Sequence, residues 1–281
     1  MKVKCRAGVA GAMDAVTQVG LLALVALVAG LGAGCIPLWR KVSEQENLLK
    51  WMTGLAAGVL LASALLVAIP EGFEIANEAG SAGLFVGGAI LAGFLMMLLL
   101  ECMGFGHDIH EEHHDHEHDH GHDHVHHPEK ASSIVLGLSI HALTDGLAIG
   151  AAVSTGSLVL TLSVFVAVLV HKIPAAFSVG AFSLHERGDR KGALKDVVLF
   201  SIATPAMILL TYFLLGDVSS QVLGLAILFA GGTFLYVATV DVLPEVHRAA
   251  TGKLALVQVV IGAMVMVALL LGLDSLGLVA H

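Results

Sequence analysis

The chain has 281 residues, of which 57% are hydrophobic and only 13% are charged. With a mean hydropathy of +0.87, it has too little polar surface to cover a soluble core. Its formal net charge of −9 arises largely from seven acids between His107 and His127, and this run is not the basic signature of nucleic-acid binding, so no nucleic-acid partner is expected. The three cysteines form no CxxC pair, and the sequence therefore indicates neither a disulfide framework nor a thiolate zinc site.

Eight segments reach the length of about 20 predominantly apolar residues that a bilayer span requires. They cover residues 15–39, 47–70, 81–105, 131–154, 157–184, 194–215, 220–246 and 254–276. Each is expected to be a helix, because an isolated strand would leave its backbone groups unpaired in lipid. We therefore predict an all-α integral membrane protein, an eight-helix bundle that forms one transmembrane domain over residues 1–281.

The basic residues predict the orientation of these spans. Ten of the 14 Lys and Arg residues lie in the connections between spans 1 and 2, 3 and 4, 5 and 6, and 7 and 8, or in the first turn of the span that follows. Because Lys and Arg concentrate on the cytoplasmic side, both termini are expected on the opposite side. Lys2, Lys4 and Arg6 precede the first apolar run as in a signal peptide, but that run reaches Leu38, so we expect the first span to be retained.

Two spans end in a similar way. Ala68-Ile69-Pro70-Glu71 closes span 2 and Val242-Leu243-Pro244-Glu245 closes span 7, while spans 3 and 8 end with Glu101 and Asp274. In the predicted topology the members of each pair run in opposite directions. This pattern is typical of transporters built from inverted repeats, and it predicts that spans 1–3 and 6–8 are such repeats around spans 4 and 5.

Spans 4 and 5 hold four ionisable residues, which are costly inside a bilayer and therefore indicate function. His141 and Asp145 are four residues apart and share one helix face, and His171 is at a similar depth if spans 4 and 5 are antiparallel. Imidazole nitrogen and carboxylate oxygen suit zinc, and also iron or manganese. The sequence predicts a metal site at these three residues; a structural pair that joins two helices, with Asp145 and Lys172 as one candidate, remains the alternative.

Two backbone features fit a cavity at this depth. Pro174 lacks an N–H, so a carbonyl just before His171 loses its helical partner, and Gly146 directly follows Asp145 and is expected to loosen the helix. Irregular backbone is tolerated within a membrane where it lines a cavity.

The motifs His141-Ala-Leu-Thr-Asp145-Gly146 and His171-Lys172-Ile-Pro174 resemble the paired motifs of the ZIP (Zrt-/Irt-like) metal transporters. The segment 230–245 is similar to the branch typified by the ninth vertebrate member of that family. The resemblance covers nearly the whole chain. It implies transport of zinc, sometimes iron, manganese or cadmium, toward the cytosol, often by a homodimer. The metal is then the substrate, no cofactor is expected, and the plasma membrane or a Golgi-type organelle membrane is the expected location.

Four positions depart from the family pattern. Many members carry Asn after the span 4 His and an acid after the span 5 His, which help to hold a second metal; here these positions are Ala142 and Lys172. Ala175 and Thr204 replace further polar or acidic residues. The resemblance thus supports one metal site, and Lys172 is expected to stand in place of a second ion, with Asp145 as its nearest partner.

A histidine-rich segment, residues 106–130, separates spans 3 and 4. Between His107 and His127 it contains 11 of the 16 histidines, interleaved with seven acids, and such tracts bind metal but cannot build a core. We expect a disordered cytosolic loop that binds metal, chiefly through His113, His114, His116, His118, His120, His122 and His124. Asp241 and Glu245, near the end of span 7, are candidate pathway residues.

Two other functions fit a membrane protein that binds metal. An intramembrane metalloenzyme would need a general base beside the metal, as in HExxH, and the segment from His171 to Ala175 lacks both the Glu and the second His. A metal-sensing membrane receptor would bind metal without flux.

Overall fold

The structure, a computed structural model, describes residues 14–39, 46–103, 131–215, 219–247 and 252–275. The regular elements in these ranges are helices, in chain order α1 (Ala15–Trp39), α2 (Glu46–Ser63), a π-helical turn (Ala64–Ala68), α3 (Ile69–Glu78), α4 (Gly83–Cys102), α5 (Ala131–Ser154), α6 (Leu158–Arg187), α7 (Arg190–Leu215), α8 (Ser220–His247) and α9 (Gly252–Ser275). In this described part of the chain, eight helical segments are long and apolar enough to cross a membrane. The prediction of an all-α integral membrane protein is confirmed.

The second span is longer than the sequence predicted, because the helix does not end at Pro70. The apolar segment extends over Gly54–Glu78. The turn before the proline is π-helical, and the N–H of Ile69 donates to the carbonyl of Ala64, five residues earlier. Single π-helical turns occur as bulges inside α-helices, and this one lets the chain pass a residue that lacks an N–H without a break.

The helices pack as two groups. One consists of α1, α5, α6 and α7, and the other of α2, α3, α4, α8 and α9. Across the boundary α5 contacts α8, and α6 contacts α2. Residues on α5, α6 and α8 can therefore meet inside the protein, whereas α4 and α9 expose many large apolar side chains on the outside, where lipid covers them.

Two helix crossings in the second group are alike. α4 packs against α8, and α9 packs against α2. A Cβ atom added at Gly93 would lie 2.0 Å from the carbonyl oxygen of Phe229, and one at Gly58 would lie 2.1 Å from that of Val259. Only glycine permits these approaches. If spans 1–3 correspond to spans 6–8, α4 corresponds to α9 and α8 corresponds to α2, so that each of the two crossings is the counterpart of the other. The inverted repeat itself stays a prediction.

Candidate metal site

His141, Asp145 and His171 come together in the interior of the helix bundle. Asp145 Oδ1 lies 3.7 Å from His141 Nε2 and 3.4 Å from His171 Nε2. One ligand atom from each residue lies within 4.8 Å of the other two. All three residues are at most 2% exposed. The helical period places the first two residues on one face of α5, and the antiparallel α6 brings the third beside them.

The ring of His171 is oriented by its own helix. Its Nδ1 lies 2.9 Å from the carbonyl oxygen of Ala167, and because a carbonyl only accepts, Nδ1 carries the hydrogen and donates it. When the ring is neutral, Nε2 presents its lone pair to the carboxylate of Asp145; when Nε2 also carries a proton, it donates to that carboxylate. Two acceptors facing each other at 3.4 Å repel unless a proton or a cation lies between them. Such a backbone bond to the far ring nitrogen is usual for metal-binding histidines.

α8 closes the site from the opposite side. The ring centroid of Phe234 is 5.7 Å from that of His141 and 5.4 Å from that of His171, and both pairs are nearly perpendicular. On the neighbouring residue, Thr233 Oγ1 lies 3.0 Å from Thr144 Oγ1 on α5. The sequence did not single out these side chains, because an apolar ring and a hydroxyl carry no signal of their own in a transmembrane span.

Lys172 is fully buried next to the site but turns toward α7. Its Nζ donates to Thr204 Oγ1 at 2.7 Å and lies 4.5 Å from the centroid of the Phe200 ring. Thr204 in turn donates to the carbonyl of Ala142 at 2.8 Å. Three of the positions that depart from the family pattern are thus joined by hydrogen bonds. The ammonium group bonds to this hydroxyl, whereas the sequence pointed to Asp145 as its partner.

Gly146 has a different role from the one expected. α5 continues without interruption from Ala131 to Ser154, so the glycine does not open the helix. Instead, a Cβ atom at this position would lie 2.4 Å from the carbonyl oxygen of Thr204. Gly146 therefore lets α7 approach α5 closely enough for the hydrogen bond between Thr204 and Ala142.

Several predicted residues lie outside the described part. The histidine-rich loop, with His113, His114, His116, His118, His120, His122 and His124, falls within residues 104–130. Asp241 and Glu245 belong to α8, but their side chains are also outside it. Metal binding and disorder in the loop, and a pathway role for the two acids, stay predictions.

Comparison with known proteins identifies the family. Residues 15–133 and 105–270 match the family model described as ZIP Zinc transporter. The chain belongs to the ZIP zinc transporter family. It is 35% identical over 278 residues to Zinc transporter ZIP9-B of Xenopus laevis, covering 83% of this chain and 86% of the relative. It is 34% identical over 323 residues to Zinc transporter ZIP9 of Micropogonias undulatus, covering 92% and 99%.

A more distant ZIP relative matches only part of the chain. Zinc transporter ZIP2 of Mus musculus is 33% identical over 122 residues, which cover 42% of this chain and 38% of the relative. Membership in the ZIP family confirms the resemblance found in the motifs. It makes the chain a transmembrane zinc transporter and not an enzyme, and it does not favour a metal-sensing receptor.

Proposed function

We propose that the chain carries zinc across its membrane toward the cytosol through a site formed by His141, Asp145 and His171. The observation that carries this proposal is the convergence of three ligand atoms within 4.8 Å of one another, fully buried among transmembrane helices. Two imidazole nitrogens and one carboxylate oxygen form a ligand set that zinc accepts. Three protein ligands leave a coordination position open, and conduction requires binding weak enough for release.

The same ligands bear on the choice of ion. Iron, manganese and cadmium are also implied by the family resemblance, and nitrogen and oxygen ligands alone do not exclude them. The direction toward the cytosol follows from that resemblance, whereas the distribution of Lys and Arg predicts only the orientation of the spans. Location in the plasma membrane or in a Golgi-type membrane, and assembly as a homodimer, are the corresponding expectations. Imaging of a tagged protein measures its location, and light scattering of the purified protein measures its oligomeric state.

Zinc uptake into proteoliposomes that contain a zinc-sensitive dye tests the proposal. We expect His141→Ala, Asp145→Ala and His171→Ala each to lower uptake by more than about 100-fold, since loss of even an outer-shell partner costs about 10–100-fold in metal affinity. His185→Ala is the matched control, because this histidine lies on α6 but is exposed, away from the site. Near-normal flux in all three ligand variants contradicts the site. Zinc binding without any flux in the parent protein identifies a sensor instead.

We further propose that Lys172 takes the place of a second metal ion. Its buried ammonium, held by Thr204 and by the ring of Phe200, supplies a fixed positive charge where the resemblance implies a second metal ion in other members. An unpaired charge in a transmembrane helix is costly, so these contacts support a specific role for it. The site formed by His141, Asp145 and His171 then holds one ion per protomer.

A further inference from the structure

Phe234 is the one apolar side chain described here in ring contact with both histidines of the proposed site. Its centroid lies 5.7 Å from the ring of His141 and 5.4 Å from that of His171, and the side chain is 1% exposed. It comes from α8, which belongs to the other helix group, whereas the three ligands come from α5 and α6. The ring therefore comes from a third helix and occupies space beside the metal ligands that water would otherwise fill.

The ligand set alone does not decide between metals. Two histidines and one carboxylate bind zinc in four-coordinate sites, but they also bind iron(II) with open positions that further oxygen ligands fill. Manganese(II) likewise prefers six ligands that are mostly oxygen. What separates these ions is the space for additional oxygen donors on the side facing away from the protein ligands.

The side facing α8 offers little to extra ligands. The Phe234 ring has no donor atom. Thr233 Oγ1 lies 2.7 Å from the carbonyl of Ala230, and Thr144 Oγ1 lies 2.7 Å from that of His141. Because each hydroxyl has one proton, one of them donates to the other while the second donates to its own carbonyl, so neither proton is free to bind an added water. An ordered water needs about 30 Å³ of space and 2–4 polar partners. A buried phenyl ring provides neither.

We propose that Phe234 is a specificity-determining residue, which keeps the bound ion four-coordinate and thereby favours zinc over manganese(II) and iron(II). This inference rests on the proposed function of His141, Asp145 and His171 as the transport site. A smaller side chain at position 234 admits water beside the imidazoles. Six-coordinate ions then gain ligands, whereas zinc gains little.

The first test measures uptake of zinc and of manganese(II) by the same proteoliposomes. Phe234→Ala should raise the manganese-to-zinc ratio by about tenfold, which corresponds to about 1.4 kcal/mol of discrimination. Phe234→Leu, which keeps an apolar side chain of intermediate size, should raise it less. Phe182→Leu is the matched control, since this buried phenylalanine of α6 belongs to a separate core cluster. A ratio unchanged in both Phe234 variants overturns the inference.

The second test does not depend on transport. Cobalt(II) bound to the full-length protein absorbs strongly when four-coordinate and weakly when six-coordinate, because coordination geometry determines its visible spectrum. Bands that Asp145→Ala removes belong to this site, which separates them from cobalt bound elsewhere. We expect intense bands in the parent and in Phe182→Leu, and weakened bands in both Phe234 variants.

The outcomes distinguish the two proposals. No site-dependent cobalt signal and no effect of the ligand variants on flux contradict the proposed function. A site-dependent signal that is equally intense in the parent, Phe234→Leu and Phe234→Ala contradicts only the role of Phe234. If Phe234→Ala does not insert into the membrane, the spectrum and uptake ratio of Phe234→Leu decide.

Discussion

Thr144 Oγ1 and Thr233 Oγ1 lie 3.0 Å apart and join α5 to α8 directly beside the metal ligands. Thr144 directly precedes Asp145, and Phe234 directly follows Thr233. The hydrogen bond therefore links the helix that carries two ligands to the helix that closes the site. Because these helices belong to different packing groups, a motion that separates α5 from α8 at this point has to break the bond between the two hydroxyls.

Valine in place of Thr233 should speed the release of zinc. The substitution keeps the shape of the side chain and removes one partner, while Thr144 retains the carbonyl of His141 as an acceptor. A hydrogen bond contributes about 0.5–1.5 kcal/mol net, so the closed state should lose roughly 2–10-fold in population. Stopped-flow measurement of zinc release to a chelator, from protein lacking the histidine-rich loop, measures this change.

The control for that measurement is Thr161→Val. Thr161 is equally buried, but its hydroxyl donates to the carbonyl of Ser157 within its own helix. It should leave the release rate unchanged. Equal rates in the Thr233→Val variant and in the parent show that the contact between the two threonines does not limit opening.

Loss of the Thr204 hydroxyl should lower the stability of the protein. Thr204→Val removes the hydrogen bond that the hydroxyl accepts from the buried ammonium of Lys172 and the one that it donates to the carbonyl of Ala142. The first involves a charged group and contributes about 1.5–3 kcal/mol. Thr211→Val is the matched control, because the Thr211 hydroxyl is buried without a hydrogen-bond partner in the described structure. Thermal unfolding in detergent should show a clear decrease in melting temperature for Thr204→Val only. Equal decreases in both variants would mean that Lys172 is stabilised by other contacts.

The sequence predicted the three ligands because ionisable residues are conspicuous in apolar spans. The helical period placed His141 and Asp145 on one face, and the short connection between spans 4 and 5 placed His171 at the same depth. The sequence could not predict Phe234, since the hydrophobicity of α8 is spread evenly around the helix and does not show which face meets the site.

The sequence also could not predict which side chains surround Lys172. Residues next to each other on a helix point about 100° apart, so Lys172 does not share the surroundings of His171. Its hydrogen-bond partner depends on where α7 packs, and α7 approaches α5 closely because position 146 is a glycine. Similarly, Pro70 indicated the end of a helix, whereas a π-helical turn that no sequence pattern reveals lets the span continue to Glu78.

Deleting residues 106–127 should leave zinc transport by the core intact and change its apparent affinity or its regulation. Because its sequence is polar and lies between two apolar spans, we expect no contribution from it to the apolar packing of the bundle. Concentration-dependent uptake by the deletion variant, compared with the full chain at equal amounts of inserted protein, measures both quantities. Complete loss of flux in a correctly inserted variant would make the loop an obligatory part of the route.

Replacing Lys172 with Glu should raise the metal bound in the transmembrane region from one ion to two per protomer. The change replaces the fixed ammonium with a carboxylate, beside the hydroxyl of Thr204 and the carbonyl of Ala142, and these oxygen atoms suit a divalent cation. The ion between His141, Asp145 and His171 should remain bound, because none of its ligands is altered.

Elemental analysis of purified protein that lacks the histidine-rich loop measures this stoichiometry without loop-bound metal. Lys172→Ala is the control, since it removes the positive charge but adds no ligand. We expect this variant to bind one ion and to transport more slowly. Transport should slow because the variant lacks the buried positive charge that helps to neutralise Asp145 after the ion leaves. Charges at an effective dielectric near 20 still interact by several kcal/mol over short distances, so the ammonium matters to an empty site as well as to a filled one. Two ions already bound in the parent, or unchanged stoichiometry and transport in both variants, would show that Lys172 only fills space between α6 and α7.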